Sequence, residues 1–233
     1  MSEQALRLPR LVVAGTASGV GKTTTMLALT AALRARGLRV ATFKCGPDYL
    51  DPTYHARAGA GPCHNLDGWM MGRAAVEQSF ARAARGADLA LIEGVMGLYD
   101  GASPSSEEGS SAEIAKWLRA PVLLAVDAGG MARSIAALVH GFRDFDRETW
   151  LGAVACNRIG SAGHLELLRR ALPDVPIVGG LPKRPELAFH ERHLGLHSAD
   201  ERALPQATLD GWGALAAQWL DLDAIVALAQ QAP

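Results

Sequence analysis

The ten residues Gly15-Thr16-Ala17-Ser18-Gly19-Val20-Gly21-Lys22-Thr23-Thr24 constrain this chain more than any other segment. They follow a short apolar run, Leu11 to Ala14. They open into Thr23 to Arg36, where Met26, Leu27, Leu29, Thr30 and Leu33 fall on one helical face and Gly37 supplies a stop. A glycine-rich turn between a strand and a helix frees backbone N–H groups to surround a phosphate, and the helix N-terminus adds the positive end of its dipole. In that setting Lys22 brings a point charge to the β- and γ-phosphates, and the Thr23 hydroxyl is placed to ligate Mg²⁺. The first glycine, Gly15, stands one residue earlier than the strict G-x4-G-K-[ST] spacing, which falls on Thr16.

Further apolar runs recur down the chain. Arg39 to Phe43, Leu89 to Glu93, Val122 to Asp127, Ala153 to Asn157 and Ile177 to Leu181 read as buried strands. Helical patterns lie between most of them, at Ala74 to Arg85, Ala112 to Leu118, Ser134 to Phe142 and His164 to Leu172. Strands that are apolar throughout suit a parallel sheet covered on both faces. The expected fold is therefore one α/β domain of three layers, P-loop NTPase-like, with a mainly parallel sheet. Residues 197–233 form a closing helical tail, Leu209 to Leu220 and Leu222 to Gln230, whose stripe Trp212, Leu215, Trp219 and Leu222 reads as core packing.

Composition removes other classes. With 233 residues, 49% hydrophobic and a formal net charge of -1, the chain is neither disordered nor a strongly basic nucleic-acid binder. No apolar run reaches the roughly 18 residues of a membrane span, and Met1 to Arg10 lacks a signal-peptide pattern, so the expected compartment is the cytoplasm. Cys45, Cys63 and Cys156 are widely spaced and odd in number, which suits reduced thiols that pack or line loops.

Other chemistry-bearing residues gather at strand ends. Lysine is confined to Lys22, Lys44, Lys116 and Lys183, and the first two stand at the carboxyl ends of expected strands. Lys44 is followed by Gly46-Pro47-Asp48-Tyr49-Leu50-Asp51-Pro52, read as a rigid acidic turn, so Lys44, Asp48 and Asp51 form a candidate site. Glu93 ends an apolar strand. A carboxylate there is costly to bury without a cation, and Mg²⁺ beside the phosphate loop is the natural partner. Asn157 suits either a turn or the edge of an adenine base, since its amide both donates and accepts. The stretch Asp100 to Glu113 is small, polar and acidic, and reads as a mobile loop placed to close over a ligand. In Phe189 to His197 the histidines His190 and His193 are three apart rather than four, so the helical HExxH geometry of a zinc site is not offered, and His190, His193 and His197 receive no role.

These blocks together resemble the synthetase domain of the cobyrinic acid a,c-diamide synthase family, amidotransferases related to dethiobiotin synthetase. They are AGTASGVGKTT (14–24), FKCGPDYLDPTYH (43–55), NLD (65–67), IEGVMGLYDG (92–101), SAEIAK (111–116), NRIGS (157–161) and ERHLGL (191–196). The early Gly15 fits, because the family shares that longer spacing. The resemblance implies ATP- and Mg²⁺-dependent amidation of the a and c acetates of cobyrinic or hydrogenobyrinic acid through an acyl phosphate. It implies that Gly19, Val20, Gly21, Lys22, Thr23 and Thr24 hold the triphosphate and Asn157 the adenine. Thr23, Asp48 and Glu93 would hold Mg²⁺. Lys44 would stabilise charge on the γ-phosphate and incoming carboxylate. Tyr49, Leu50, Asp51 and Asp100 would position the corrinoid or ammonia, with Lys22, Lys44, Asp51, Glu93 and Asp100 as the catalytic set.

The family usually continues into a glutaminase domain, and no cysteine here stands in a nucleophile elbow. Residues 1–233 are thus expected to be the amidoligase domain alone, with ammonia coming from a glutaminase domain or subunit. A homodimer is left open; no nucleic acid or membrane partner is expected. Rival readings are amidation of another tetrapyrrole such as nickel sirohydrochlorin, a dethiobiotin synthetase-like ligase, and a partition-type ATPase switch. The last normally carries an early P-loop lysine, where this chain has Gly15-Thr16-Ala17.

Overall fold

The computed structural model describes residues 7–184 and 204–233. Among them seven strands alternate with helices. They are β1 (Arg10–Gly15), α1 (Lys22–Ala35), β2 (Val40–Cys45), α2 (Asp51–Gly59), β3 (Cys63–Leu66), α3 (Gly68–Ala83) and β4 (Leu89–Glu93). Then follow α4 (Ser111–Trp117), β5 (Val122–Asp127), α5 (Ser134–Phe145), β6 (Leu151–Ile159), α6 (Ala162–Ala171), β7 (Ile177–Pro182), α7 (Gln206–Trp219) and α8 (Leu222–Gln230). The strands make one sheet in the order β3-β2-β4-β1-β5-β6-β7, every ladder parallel.

Burial on both faces follows from the apolar strands. In β1, Leu11 and Val13 face α1, α2, α7 and α8, while Val12 and Ala14 face α3 to α6, and all four are fully buried. The three-layer α/β expectation therefore holds. The tail is core as well: Trp212 of α7 is buried against α1, and truncating such a residue costs about 3–5 kcal/mol. Gly179 of β7 marks where the tail meets the sheet. It has φ +139° and an antiparallel bridge to Leu220, and a side chain there would strike the Trp219 carbonyl at 2.2 Å. Buried Arg10 fastens the amino end of β1, donating to the carbonyls of Leu118 and, at 2.7 Å, Pro233.

Three segments depart from the sequence expectation. The acidic turn after Lys44 continues into a helix, α2. Pro52 lies in its first turn, where a missing N–H is harmless, and Asp48 Oδ1 accepts from the amides of Leu50 and Asp51 at 2.9 and 3.0 Å. The edge strand β3, Cys-His-Asn-Leu, carries no apolar run to betray it. The loop expected over Asp100 to Glu113 is shorter than supposed. Ser110 caps α4 by accepting from Glu113 N, and both Ser110 and Ser111 are buried. The segment with His190, His193 and His197, and the ERHLGL block, lie outside the described residues.

Candidate nucleotide and carboxylate site

The carboxyl ends of β1, β2 and β4, three neighbouring strands, carry the loop and the charged residues. Gly21 precedes α1 with φ +95°, a left-handed geometry that favours glycine, and a Cβ there would lie 2.6 Å from Asn157 Nδ2. The loop is closed on itself by Lys22, whose Nζ donates to the carbonyls of Ala17 at 2.9 Å and Met96 at 2.5 Å. These are contacts an ammonium makes while curled over its own loop.

Beside the loop lies a buried ionic cluster. Lys44 and Glu93 are opposite each other in the β2–β4 register. Lys44 Nζ lies 3.3 Å from Asp51 and 3.5 Å from Glu93, and donates to the Gly94 carbonyl at 2.8 Å. Glu93 Oε1 accepts from the Thr23 hydroxyl at 2.8 Å, which joins the cluster to the first turn of α1. Its other oxygen, Oε2, accepts from His55 Nε2, and both groups are buried. The imidazole's remaining nitrogen, Nδ1, has no hydrogen-bond partner among the described residues.

Electrostatics keeps the Glu93 carboxylate and the Lys44 ammonium charged. Burial works to raise the Glu93 carboxyl, but His55, Lys44 and the Thr23 hydroxyl outweigh it and hold the group below the usual carboxylate range. Burial likewise works against the Lys44 ammonium, yet Glu93 and Asp51 outweigh it and raise its pKa. Lys22 is lowered, first by burial and also by the charge of Lys44, against the pull of Glu93. The thiols of Cys45, Cys63 and Cys156 are each pushed up to about 12 by burial, so they stay protonated and poorly nucleophilic.

The other expected residues are placed differently. Asp51 sits inside the cluster as the partner of Lys44. Asp48 spends Oδ1 on the entry to α2, leaving Oδ2 for any cation. Tyr49 is exposed and Leu50 half-buried at the same turn. Asp100 Oδ2 accepts from Gly97 N at 2.9 Å and so pins the turn that follows β4. Asn157 is buried, and its amide nitrogen donates to Val20 O at 2.8 Å and Thr25 Oγ1 at 3.0 Å. Both Nδ2 hydrogens are used within the protein, and Oδ1 accepts from the Thr25 hydroxyl at 3.2 Å, so a contact to adenine would use the second lone pair of Oδ1. Among the described residues no three His, Cys, Asp or Glu side chains cluster as a metal cage. The donor set still suits a hard cation, since Thr23 and Glu93 place two oxygens side by side, and Mg²⁺ commonly takes one or two protein ligands with phosphate and water.

His55 is the residue that sequence reasoning missed. Its signal was present, because Asp51 and His55 are four apart and share a face once α2 is read as a helix. A cavity of about 390 Å³ opens on the opposite side of the loop, between Thr16, Tyr99, Asp100 and the α5 residues Leu138, Phe142 and Phe145.

A glycine-rich loop leading from the central strand of a parallel sheet into a helix, with a lysine and a threonine at its end, defines a P-loop nucleotide-binding α/β domain. The chain belongs to the CobQ/CobB/MinD/ParA nucleotide binding domain family, whose model matches residues 11–195. It is 52% identical over 228 residues to the cobyrinate a,c-diamide synthase of Leptospira interrogans serogroup Icterohaemorrhagiae serovar copenhageni, covering 98% of this chain and 50% of that protein. It is 46% identical to the hydrogenobyrinate a,c-diamide synthase of Streptomyces coelicolor, covering 98% and 48%. The chain thus spans about half the length of these curated relatives. Among solved structures, chloroplast FtsY from Physcomitrella patens shares the fold, with a TM-score of 0.57 at 18% identity, covering 87% of this chain and 65% of that one. Among the described residues no helix is long and apolar enough to cross a membrane.

Proposed function

We propose that this chain is the ATP-dependent amidating part of a cobyrinate or hydrogenobyrinate a,c-diamide synthase. The observation that carries the reading is the buried Lys44–Asp51–Glu93 cluster joined through Thr23 to the phosphate loop. A loop lysine alone binds a nucleotide. A second, buried lysine held in place by two carboxylates gives an incoming carboxylate its electrostatic partner. The names of the two relatives supply the substrate class.

In the proposed reaction an acetate oxygen of the corrin attacks the γ-phosphorus, the bond to the β-phosphate oxygen breaks, and ADP leaves behind an acyl phosphate. Ammonia then attacks the acyl carbon, gives up a proton, and displaces inorganic phosphate to form the amide. Gly19, Val20, Gly21 and Thr24 surround the triphosphate with backbone and hydroxyl donors. Lys22 leaves Ala17 and Met96 to meet it. Lys44 holds the two anionic reactants together, and catalysis of this kind rests on positioning and charge stabilisation. A divalent cation, held by Thr23 and Glu93 with Asp48 as the further candidate, neutralises triphosphate charge when bound. His55 fixes the Glu93 carboxylate, and Asp51 fixes Lys44. Asp100 sets the turn over the loop, Asn157 offers Oδ1 on the adenine side, and Tyr49 and Leu50 stand at the substrate entrance.

Ammonia would come from a glutaminase domain or subunit, and the setting would be the cytoplasm. A homodimer, left open by the sequence, is tested by light scattering. The decisive assay supplies cobyrinic acid, or its cobalt-free counterpart, with Mg-ATP and either ammonium or glutamine, and counts added amides by mass spectrometry. Two amides with ammonium are expected. ATP binding with no amidation of either acid, or amidation only of another tetrapyrrole or of a small diamino acid, would replace this reading.

A further inference from the structure

The described surface exposes few large apolar side chains: Tyr49, Trp69, Met70, Met96, Phe145, Trp150 and Leu167. Four of these follow neighbouring strands. Tyr49 follows β2, Trp69 and Met70 follow β3, and Met96 follows β4, so they occupy the carboxyl ends of three strands adjacent in the sheet. Tyr49, Trp69 and Met70 are 74%, 65% and 68% exposed, and Met96 is 41% exposed. Leaving large apolar surface in water at one place is costly unless something covers it.

The loops that carry them are held rather than loose. Asn65 Nδ2 donates to the carbonyls of Gly46 and Asp48 at 3.0 and 2.7 Å, tying the Tyr49 turn to β3. Asp67 Oδ1 accepts from the amides of Trp69 and Met70 at 3.0 and 3.1 Å, fixing the start of α3. Met96 has φ +45°, and its carbonyl takes the Lys22 ammonium, so its side chain emerges beside the phosphate loop. Lys44, Asp51 and Glu93 belong to β2, α2 and β4, the same flank of β1.

We propose that Trp69, Met70 and Met96, with Tyr49, form an apolar rim that holds the face of the tetrapyrrole ring while one acetate arm reaches in to Lys44. The inference rests on the amidation reading above and adds the ring-binding surface to it. An acetate arm is a single methylene and a carboxyl group, so a ring whose carboxylate meets the γ-phosphate has to rest at the mouth of the Lys44 cluster. The exposed side chains at the carboxyl ends of these strands match the ring, since aromatic and thioether groups pack on the apolar, methyl-bearing face of a partly conjugated macrocycle. The competing surface is the cavity beside α5, with Phe142 and exposed Phe145, which lies across β1 from Lys44.

The test measures steady-state amidation of cobyrinic acid with ammonium, together with ATP hydrolysis. Trp69→Ala/Met70→Ala should raise KM for cobyrinic acid about tenfold or more, as loss of an aromatic anchor does, with KM for ATP unchanged. Trp69→Phe/Met70→Leu should restore most of it, and Phe145→Ala should leave both constants as they are. In parallel, quenching of tryptophan fluorescence by cobyrinic acid should weaken in Trp69→Phe at saturating ligand. An unchanged KM for cobyrinic acid in the double alanine variant overturns the rim, as does a raised KM in Phe145→Ala alone, and in either case amidation itself stands. If the wild-type chain neither binds nor amidates cobyrinic acid, the proposed function falls and the rim falls with it.

Discussion

The two flanks of the phosphate loop use opposite means of holding it. On the β2–β4 flank the contacts are ionic and buried: Lys44 between Asp51 and Glu93, and Glu93 between Thr23 and His55. On the β5–β6 flank the buried contact is a neutral amide, Asn157 against Val20 and Thr25, with an exposed pair, Arg158 and Asp127, outside it. A buried charge is tolerable only while its partners are present, so the first flank stands or falls as a set. A neutral amide costs less to desolvate and less to lose. The ionic flank therefore has the charges for chemistry, and the amide flank fixes the loop's shape.

The largest expected effect follows from that. Lys44→Ala takes the ammonium from between the buried carboxylates of Asp51 and Glu93 and should cost about 3–5 kcal/mol of folding stability, along with amidation. A triple variant, Lys44→Met/Asp51→Asn/Glu93→Gln, removes the charges together and should recover most of the stability while remaining inactive. Urea unfolding separates the two; if the triple variant is as unstable as the single one, burial of unpaired charge is not what holds this flank. Acid should act on the same flank. A carboxylate whose pKa is lowered on folding contributes stability above its unfolded value, roughly 4.3, and that contribution is lost as pH falls towards the folded value. Unfolding free energy should thus drop more steeply between about pH 4 and pH 2 in wild type than in Glu93→Gln. Asp88 and Asp174 also titrate low but are present in both, so parallel slopes would remove Glu93 as a contributor.

The amide flank should respond less. Asn157→Ala takes the donor from Val20 O and Thr25 Oγ1 and should cost about 1–3 kcal/mol. Its functional mark is a raised KM for ATP with KM for cobyrinic acid unchanged, because the variant loosens the end of the loop without touching Lys44. A rise in the corrinoid KM instead would mean that the flanks are coupled more tightly than their separate contacts suggest.

What the sequence disclosed of this arrangement follows from how each residue signals. The glycine loop and the apolar strands announce themselves, because a parallel sheet buried on both faces needs continuous apolar runs and a phosphate cradle needs its glycines. Lys44 and Glu93 were legible as charged residues closing such strands. The edge strand β3 was not, since a strand covered less fully has no need of an apolar run and Cys63-His64-Asn65-Leu66 reads as loop. Helix α2 was hidden by Pro52, which marks a turn as readily as a first helical turn. With α2 went His55, whose relation to Asp51 exists only at helical spacing. Asn157 was placed at the correct strand end, but its direction depends on the close approach of Gly21, which no local pattern records.

The smallest effect is expected outside the amide. Arg158 pairs with Asp127 and donates to the Gly19 carbonyl at 2.9 Å, so it touches the loop as directly as Asn157 does. Both side chains of the pair are more than a third exposed, however, and an ion pair that water and salt can reach contributes between 0 and about 1 kcal/mol. Arg158→Ala should therefore leave unfolding within about 1 kcal/mol of wild type, and any change in KM for ATP should shrink as salt is added. An effect on the scale of Asn157→Ala that persists at high salt would show the Gly19 contact, rather than the ion pair, to be the fastening on this flank. It would also narrow the contrast between the flanks to one of charge alone, since the exposed shell would then grip the loop as firmly as the buried amide.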